Sequence, residues 1–170
     1  MVTKVKIYGA GSIGNHLAYA CRLKGWDVLI CDVDKKALYR TRNEIYPARY
    51  GRWDEKIDLS LVDELTPVKY DLVIIGTPPD THMCIAGNVL NDIPPRVLLI
   101  EKPLCTPSLS GCQELLALAE STGTFVAVGY NHTLTKNTRM ISELAKNGLI
   151  GHPLTISARF REHWGGIFGA

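Results

Sequence analysis

Four short stretches of this chain are apolar almost from end to end: 27–31, 71–75, 96–100 and 125–128. Each is too short for a helix and too apolar to have a solvated side. Strands buried on both faces read in this way, and they occur in parallel sheets covered by helices. A fifth run, Val5-Lys6-Ile7-Tyr8, opens the series. Between the runs the apolar residues recur at helical spacing. Ile13, Leu17, Ala20 and Cys21 form one face over 12–24, and Gly25 follows where a helix ends. Asp34 is placed to cap a helix over 35–44. Further helices are predicted over 81–90, 108–121 (Leu109, Cys112, Leu115, Leu116, Ala119) and 137–146, the last closed by Gly148. The stretch 47–69 mixes aromatic and charged residues, and a strand at 57–59 and a short helix at 62–65 are expected there. The alternation predicts an α/β fold with a doubly wound parallel sheet and helices on both faces.

Composition removes several alternatives. Nineteen Lys+Arg stand against seventeen Asp+Glu, a net charge of +2, which is no basic footprint for a nucleic acid. No apolar run reaches the roughly 18–20 residues of a membrane span. The N-terminus enters a strand at once, so no signal peptide is expected. Five cysteines, with no C-x-x-C pair, fit reduced and mostly buried thiols and a cytoplasmic location. No H-E-x-x-H or Cys/His cluster is present, so no metal site is expected.

Doubly wound sheets bind ligands at the carboxyl ends of their strands. After the first run comes Gly9-Ala10-Gly11-Ser12-Ile13-Gly14, a G-x-G-x-x-G. Gly9 suits a tight turn, Gly11 lets a pyrophosphate reach the backbone, and Gly14 lets helix and strand pack closely. Ser12 and Ile13 then open a helix whose free N–H groups face the phosphates. Asp32 ends the next strand, where it is expected to accept hydrogen bonds from the adenosine ribose and to repel a 2′-phosphate. NAD is therefore expected as cofactor and NADP less so, although Lys35 and Lys36 stand close by. A P-loop is excluded because no G-x-x-x-x-G-K-[ST] occurs, and a kinase glycine loop because H-R-D and D-F-G are absent.

The third strand ends in Gly76-Thr77-Pro78-Pro79-Asp80-Thr81-His82. Thr77 and Pro78 are expected beside the cofactor. Asp80 or Thr81 is expected to cap the helix, and His82 either joins the cofactor site or faces solvent. The fourth ends in Glu101-Lys102-Pro103, where proline holds Lys102 extended. A lysine there can donate to a substrate oxygen and, if desolvated, exchange a proton. Glu101 is placed to orient or pair with it. The last strand ends in Gly129-Tyr130-Asn131, and Asn131 is a candidate for holding substrate or nicotinamide.

These motifs, in this order and with Gly148-Leu149-Ile150-Gly151-His152-Pro153 after them, resemble the Gfo/Idh/MocA family of glucose–fructose oxidoreductase and inositol dehydrogenase. The resemblance implies a Rossmann domain over 1–130 and NAD(P)-dependent hydride transfer on sugars or cyclitols. It implies that Lys102 contacts the substrate hydroxyl and that Lys102-Pro103 is a candidate cis peptide. It also implies that residues 131–170 form a linking helix and the first strand, over 154–160, of an incomplete C-terminal α/β domain. That domain's sheet is a common homo-oligomer interface in the family. The family's D-x-x-x-H acid/base pair has no counterpart here, and His163 does not match its context, so the chain is expected to be catalytically incomplete. A non-catalytic sensor or partner subunit, pairing through 154–160 and the glycine-rich tail 164–169, is the alternative.

Overall fold

The computed structural model describes residues 2–159. Six strands, β1 (Lys4–Tyr8), β2 (Asp27–Asp32), β3 (Ile57–Leu61), β4 (Leu72–Ile75), β5 (Val97–Ile100) and β6 (Phe125–Val128), form one sheet. Its order is β3-β2-β1-β4-β5-β6 and every neighbouring pair is parallel. This is the doubly wound order, in which the strand sequence reverses direction at β1. Ile7, at the centre, pairs with Ile30 on one side and Ile74 on the other, and all three are fully buried.

The helices are α1 (Ser12–Leu23), α2 (Lys35–Arg40), α3 (Tyr46–Tyr50), α4 (His82–Asp92), α5 (Cys112–Thr122) and α6 (Lys136–Lys146). Asp34 caps α2 by accepting from the Lys36 amide, and Gly25, at φ +74°, follows α1. A core of Val5, Ile7, Val28, Ile30 and Ile57 packs with Ala18 and Tyr46. A second one joins Val73, Ile75, Leu98 and Ile100 to Ala86, Leu90 and Leu115.

The structure corrects the expected helices in three places. The face that α1 buries is Gly14, Asn15, Ala18 and Cys21, whereas Ile13 and Ala20 are exposed. Ile13 sits at a cleft, where an apolar residue has a use other than the core. The helix expected over 35–44 continues past Pro47: α2 passes through a π-helical turn at Thr41–Ile45 into α3. Pro47 directly follows that turn, as the second residue of α3, and has no N–H to give to the helix behind it. The helix expected from residue 108 starts at Cys112, because Leu109 and Gly111 have positive φ (+55° and +83°); Leu109 and Leu116 are exposed.

Residues 1–130 and 131–170 form two compact units. In the second, a 3₁₀ turn at Asn131–Leu134 precedes α6. Thr135 caps α6 by accepting from the Thr138 amide, and Gly148, at φ +69°, follows its end. The strand expected over 154–160 is not formed at 154–159, which take no regular structure. Alternating apolar residues make a strand only where a neighbour pairs the backbone. Phe160, His163 and the tail 164–169 lie outside the described residues.

Candidate functional site

The strand order reverses between β1 and β4, so the loops after them flank a crevice. Three glycines shape its rim, each for a different reason. Gly9 has φ +105°, and a Cβ there would lie 2.8 Å from the carbonyl oxygen of Gly76 in the facing loop. Gly14 lies under Gly9, and a Cβ on it would stand 2.0 Å from the Gly9 carbonyl oxygen. Gly11 is the opposite case. A Cβ there would meet nothing within 4 Å, so the space beside it is open to a ligand.

Side chains from three elements hold this loop. The Ala10 amide donates to Asp32 Oδ2 (2.7 Å), and the Asp34 amide donates to Asp32 Oδ1 (2.9 Å). The carboxylate of Asp32 is thus fixed between the glycine loop and the start of α2. From below, Thr41 Oγ1 donates to the Ala10 carbonyl, and Asn15 Nδ2 donates to the Gly11 carbonyl (2.8 Å) and to Thr41 Oγ1 (3.1 Å). Asn15 and Thr41 are fully buried, and Asn15 Oδ1 has no partner among the described residues. Leaving such an atom unpaired costs about 1–3 kcal/mol, a local debit against stability. With the loop carbonyls held from inside, the first-turn amides of α1 remain. They have no intrahelical acceptors, and no side chain caps them. An open approach, a helix N-terminus with free donors and a fixed carboxylate nearby fit a dinucleotide's pyrophosphate and ribose.

The crevice opens into a cleft of about 1250 Å³. Gly9, Gly11, Ser12, Ile13, Asp32, Thr77 and Pro78, the cofactor-binding candidates of the sequence, are among the residues that line it. Lys35 and Lys36 are exposed and do not line it; the cations that do are Lys6 and Arg40. Tyr8 and Cys31 belong to its floor, and burial pushes both their pKa values up to about 12, so both are neutral near pH 7.

His82 neither faces solvent nor lines the cleft. It is fully buried. Its Nε2 lies 2.8 Å from the Thr77 carbonyl oxygen and its Nδ1 3.0 Å from that of Pro103. The ring therefore stands between the loop after β4 and the loop after β5, with a carbonyl oxygen of each against a ring nitrogen. Thr81 occupies the cap position of α4, but its hydroxyl does not cap the helix; it lies 2.7 Å from both Thr77 Oγ1 and the Pro78 carbonyl oxygen.

At the carboxyl end of β5 the Lys102-Pro103 peptide is cis. Lys102 is exposed, and neither it nor Glu101 is in the cleft lining. The expected pairing of Glu101 with Lys102 is not made. The ion pairs among the described residues are Arg22–Asp54 and Arg42–Glu55. Glu101 lies against Gly129 instead, with Oε1 2.7 Å from where a Cβ would be. Asn131 opens the second unit, in the 3₁₀ turn before α6.

Asn15 and Thr41 escaped the sequence reading. The signal for Asn15 was a polar residue between Gly14 and Ala18 on the buried face of α1, and for Thr41 there was none.

Solved structures of similar fold include the WlbA dehydrogenase of Bordetella pertussis in complex with NADH and UDP-GlcNAcA. It is 19% identical, covers 89% of this chain and 44% of its own, and has a TM-score of 0.70. The scyllo-inositol dehydrogenase of Lactobacillus casei, with bound NAD(H) and scyllo-inositol, gives 17%, 89%, 43% and 0.69 in the same order. The probable oxidoreductase yhhX gives 26%, 89%, 42% and 0.68. This chain thus spans about two fifths of the length of the proteins it resembles. No curated protein matches it. Residues 3–130 match the model of an oxidoreductase family with an NAD-binding Rossmann fold, and the chain belongs to that family, Gfo/Idh/MocA.

Proposed function

We propose that this chain binds NAD(H) across the carboxyl ends of β1 and β4 and serves hydride transfer between the nicotinamide and a hydroxyl or carbonyl of a sugar or cyclitol. The observation that carries the proposal is the glycine loop. Gly11 leaves open space at an uncapped helix N-terminus, while Asp32 is held rigidly beside it. Gly9, Ser12 and Ile13 border the pyrophosphate, and Thr77 and Pro78 the far wall. Asp32 favours NAD over NADP, because its charge repels a 2′-phosphate. Gly14 and His82 act from beneath, by packing the loop and by standing between the two strand-end loops.

The bound nicotinamide supplies the hydride acceptor. The exposed Lys102 ammonium group, at the end of β5, would donate a hydrogen bond to the reacting oxygen, with Glu101 and Asn131 as further candidates around cofactor and substrate. A polyhydroxylated substrate class is supported by what the similar structures hold, UDP-GlcNAcA in one and scyllo-inositol in another. Turnover by this chain alone is expected to be poor, since its sequence has no D-x-x-x-H.

The test is NADH formation from NAD with a panel of cyclitols and aldoses, in an enzyme carrying the acid/base pair, wild type against Lys102→Ala. The variant is expected to lose about 10²-fold in kcat or more and to bind NADH as the wild type does. An unchanged kcat would remove Lys102 from the reaction.

A further inference from the structure

The segment between Lys102 and α5 holds two thiols in contact. Cys112 Sγ donates to Cys105 Sγ across 3.2 Å. Cys105 is buried, whereas Cys112, the first residue of α5, is partly exposed. All five cysteines are free, and of the other three Cys21 and Cys31 are buried in the body of the domain and Cys84 is exposed on α4. The contact is built by the local backbone. The Leu109 amide donates to the Thr106 carbonyl and the Cys112 amide to the Leu109 carbonyl, and Leu109 and Gly111 take positive φ. These turns fold the segment 106–111 back, so that Cys105 meets the first turn of α5. An S–S bond is about 2.05 Å long, so closing it asks for roughly 1.1 Å of movement between side chains already facing each other.

We propose that Cys105 and Cys112 form a reversible disulfide with a small-molecule disulfide of the glutathione class as oxidant. The sulfur of Cys112, once its proton has gone to solvent, attacks one sulfur of the oxidant; the oxidant's S–S bond breaks and one thiol leaves. The sulfur of Cys105 then loses its proton and attacks Cys112 Sγ, and the second thiol leaves as the Cys105–Cys112 bond forms. Two electrons pass from the cysteine pair to the oxidant, which departs as two thiols. The bond ties to α5 the loop that begins at Lys102 and whose Pro103 and Leu104 carbonyl oxygens face His82 Nδ1. This site is independent of the proposed hydride transfer.

The folded chain is incubated with oxidised glutathione, its remaining thiols are alkylated, and the protein is digested with trypsin. Residues 97–136 form one tryptic peptide that holds Cys105 and Cys112 and no other cysteine. The expected result is loss of two hydrogens from that peptide, reversed by a dithiol reductant. Cys112→Ser abolishes the loss, and Cys84→Ser leaves it. A peptide that stays fully alkylated, one that keeps a glutathione adduct on Cys112, or a loss that survives in Cys112→Ser would each overturn the proposal. Because Cys112 is partly exposed, its serine variant tests the site even if Cys105→Ser does not fold.

Discussion

Adding one methyl group at Gly11 and at Gly14 should have opposite consequences. Gly11 has φ −87° and ψ −167°, extended backbone that alanine adopts freely, and its Cβ meets nothing within 4 Å. Alanine there loses some N-cap preference and gains from a less flexible unfolded chain, terms of a few tenths to about 1 kcal/mol that oppose each other. Stability should therefore change by less than about 1 kcal/mol. The methyl group occupies the space through which a pyrophosphate would approach, so NADH affinity should fall at least about tenfold, or 1.4 kcal/mol. At Gly14 the Cβ would stand 2.0 Å from the Gly9 carbonyl oxygen. Ordinary contact needs about 3.4 Å, so the backbone must open by more than 1 Å. Gly9 cannot yield easily, since its own Cα already faces the Gly76 carbonyl. Overpacking of this kind costs about 1–3 kcal/mol, more than the ~1 kcal/mol that alanine adds in helix propensity. Urea denaturation without ligand, followed by NADH titration, separates the two. A Gly11→Ala protein that binds NADH like the wild type, or a Gly14→Ala protein of full stability, would refute the reasoning.

Thr41→Val keeps the side-chain shape but leaves the buried Ala10 carbonyl without its hydroxyl donor; it should cost about 1–3 kcal/mol by urea denaturation and weaken NADH binding in the same protein. Burial raises the pKa of Asp54, but the hydrogen bond and charge of Arg22 (2.9 Å), together with the amide and charge of Lys56, outweigh it and hold the value below the usual aspartate range. That pair therefore adds stability above the unfolded aspartate pKa and loses it as pH falls through the folded value. Asp54→Asn should cost about 1 kcal/mol at neutral pH, with the difference closing in a stability–pH series as the folded carboxylate takes up its proton, below the unfolded aspartate value.

The sheet could be read from sequence because β2, β4, β5 and β6 are short runs of almost wholly apolar residues, which suit strands placed between layers of helices. The glycine loop was legible for a related reason: Gly9 needs a positive φ, Gly14 has no room for a Cβ and Gly11 leaves space for a ligand, and the spacing records all three. What failed was the reading of helix faces by apolar count. Ile13 is apolar because it borders a cleft, and Asn15 is buried because it holds a loop carbonyl. Hydropathy inverts both. His82 shows the same limit, since its partners Thr77 and Pro103 come together only when β4 and β5 pair. The strand expected at 154–160 failed in its described part because side-chain alternation says nothing about whether a backbone partner is at hand.

Calorimetric titration of this chain with NADH reads directly whether the glycine loop holds a dinucleotide. One NADH per chain is expected, with weaker binding of NADPH because of Asp32, and with affinity at least about tenfold lower in Gly11→Ala while that variant unfolds near the wild-type urea concentration. No heat of binding at millimolar NADH, from a chain shown to be folded, would contradict it.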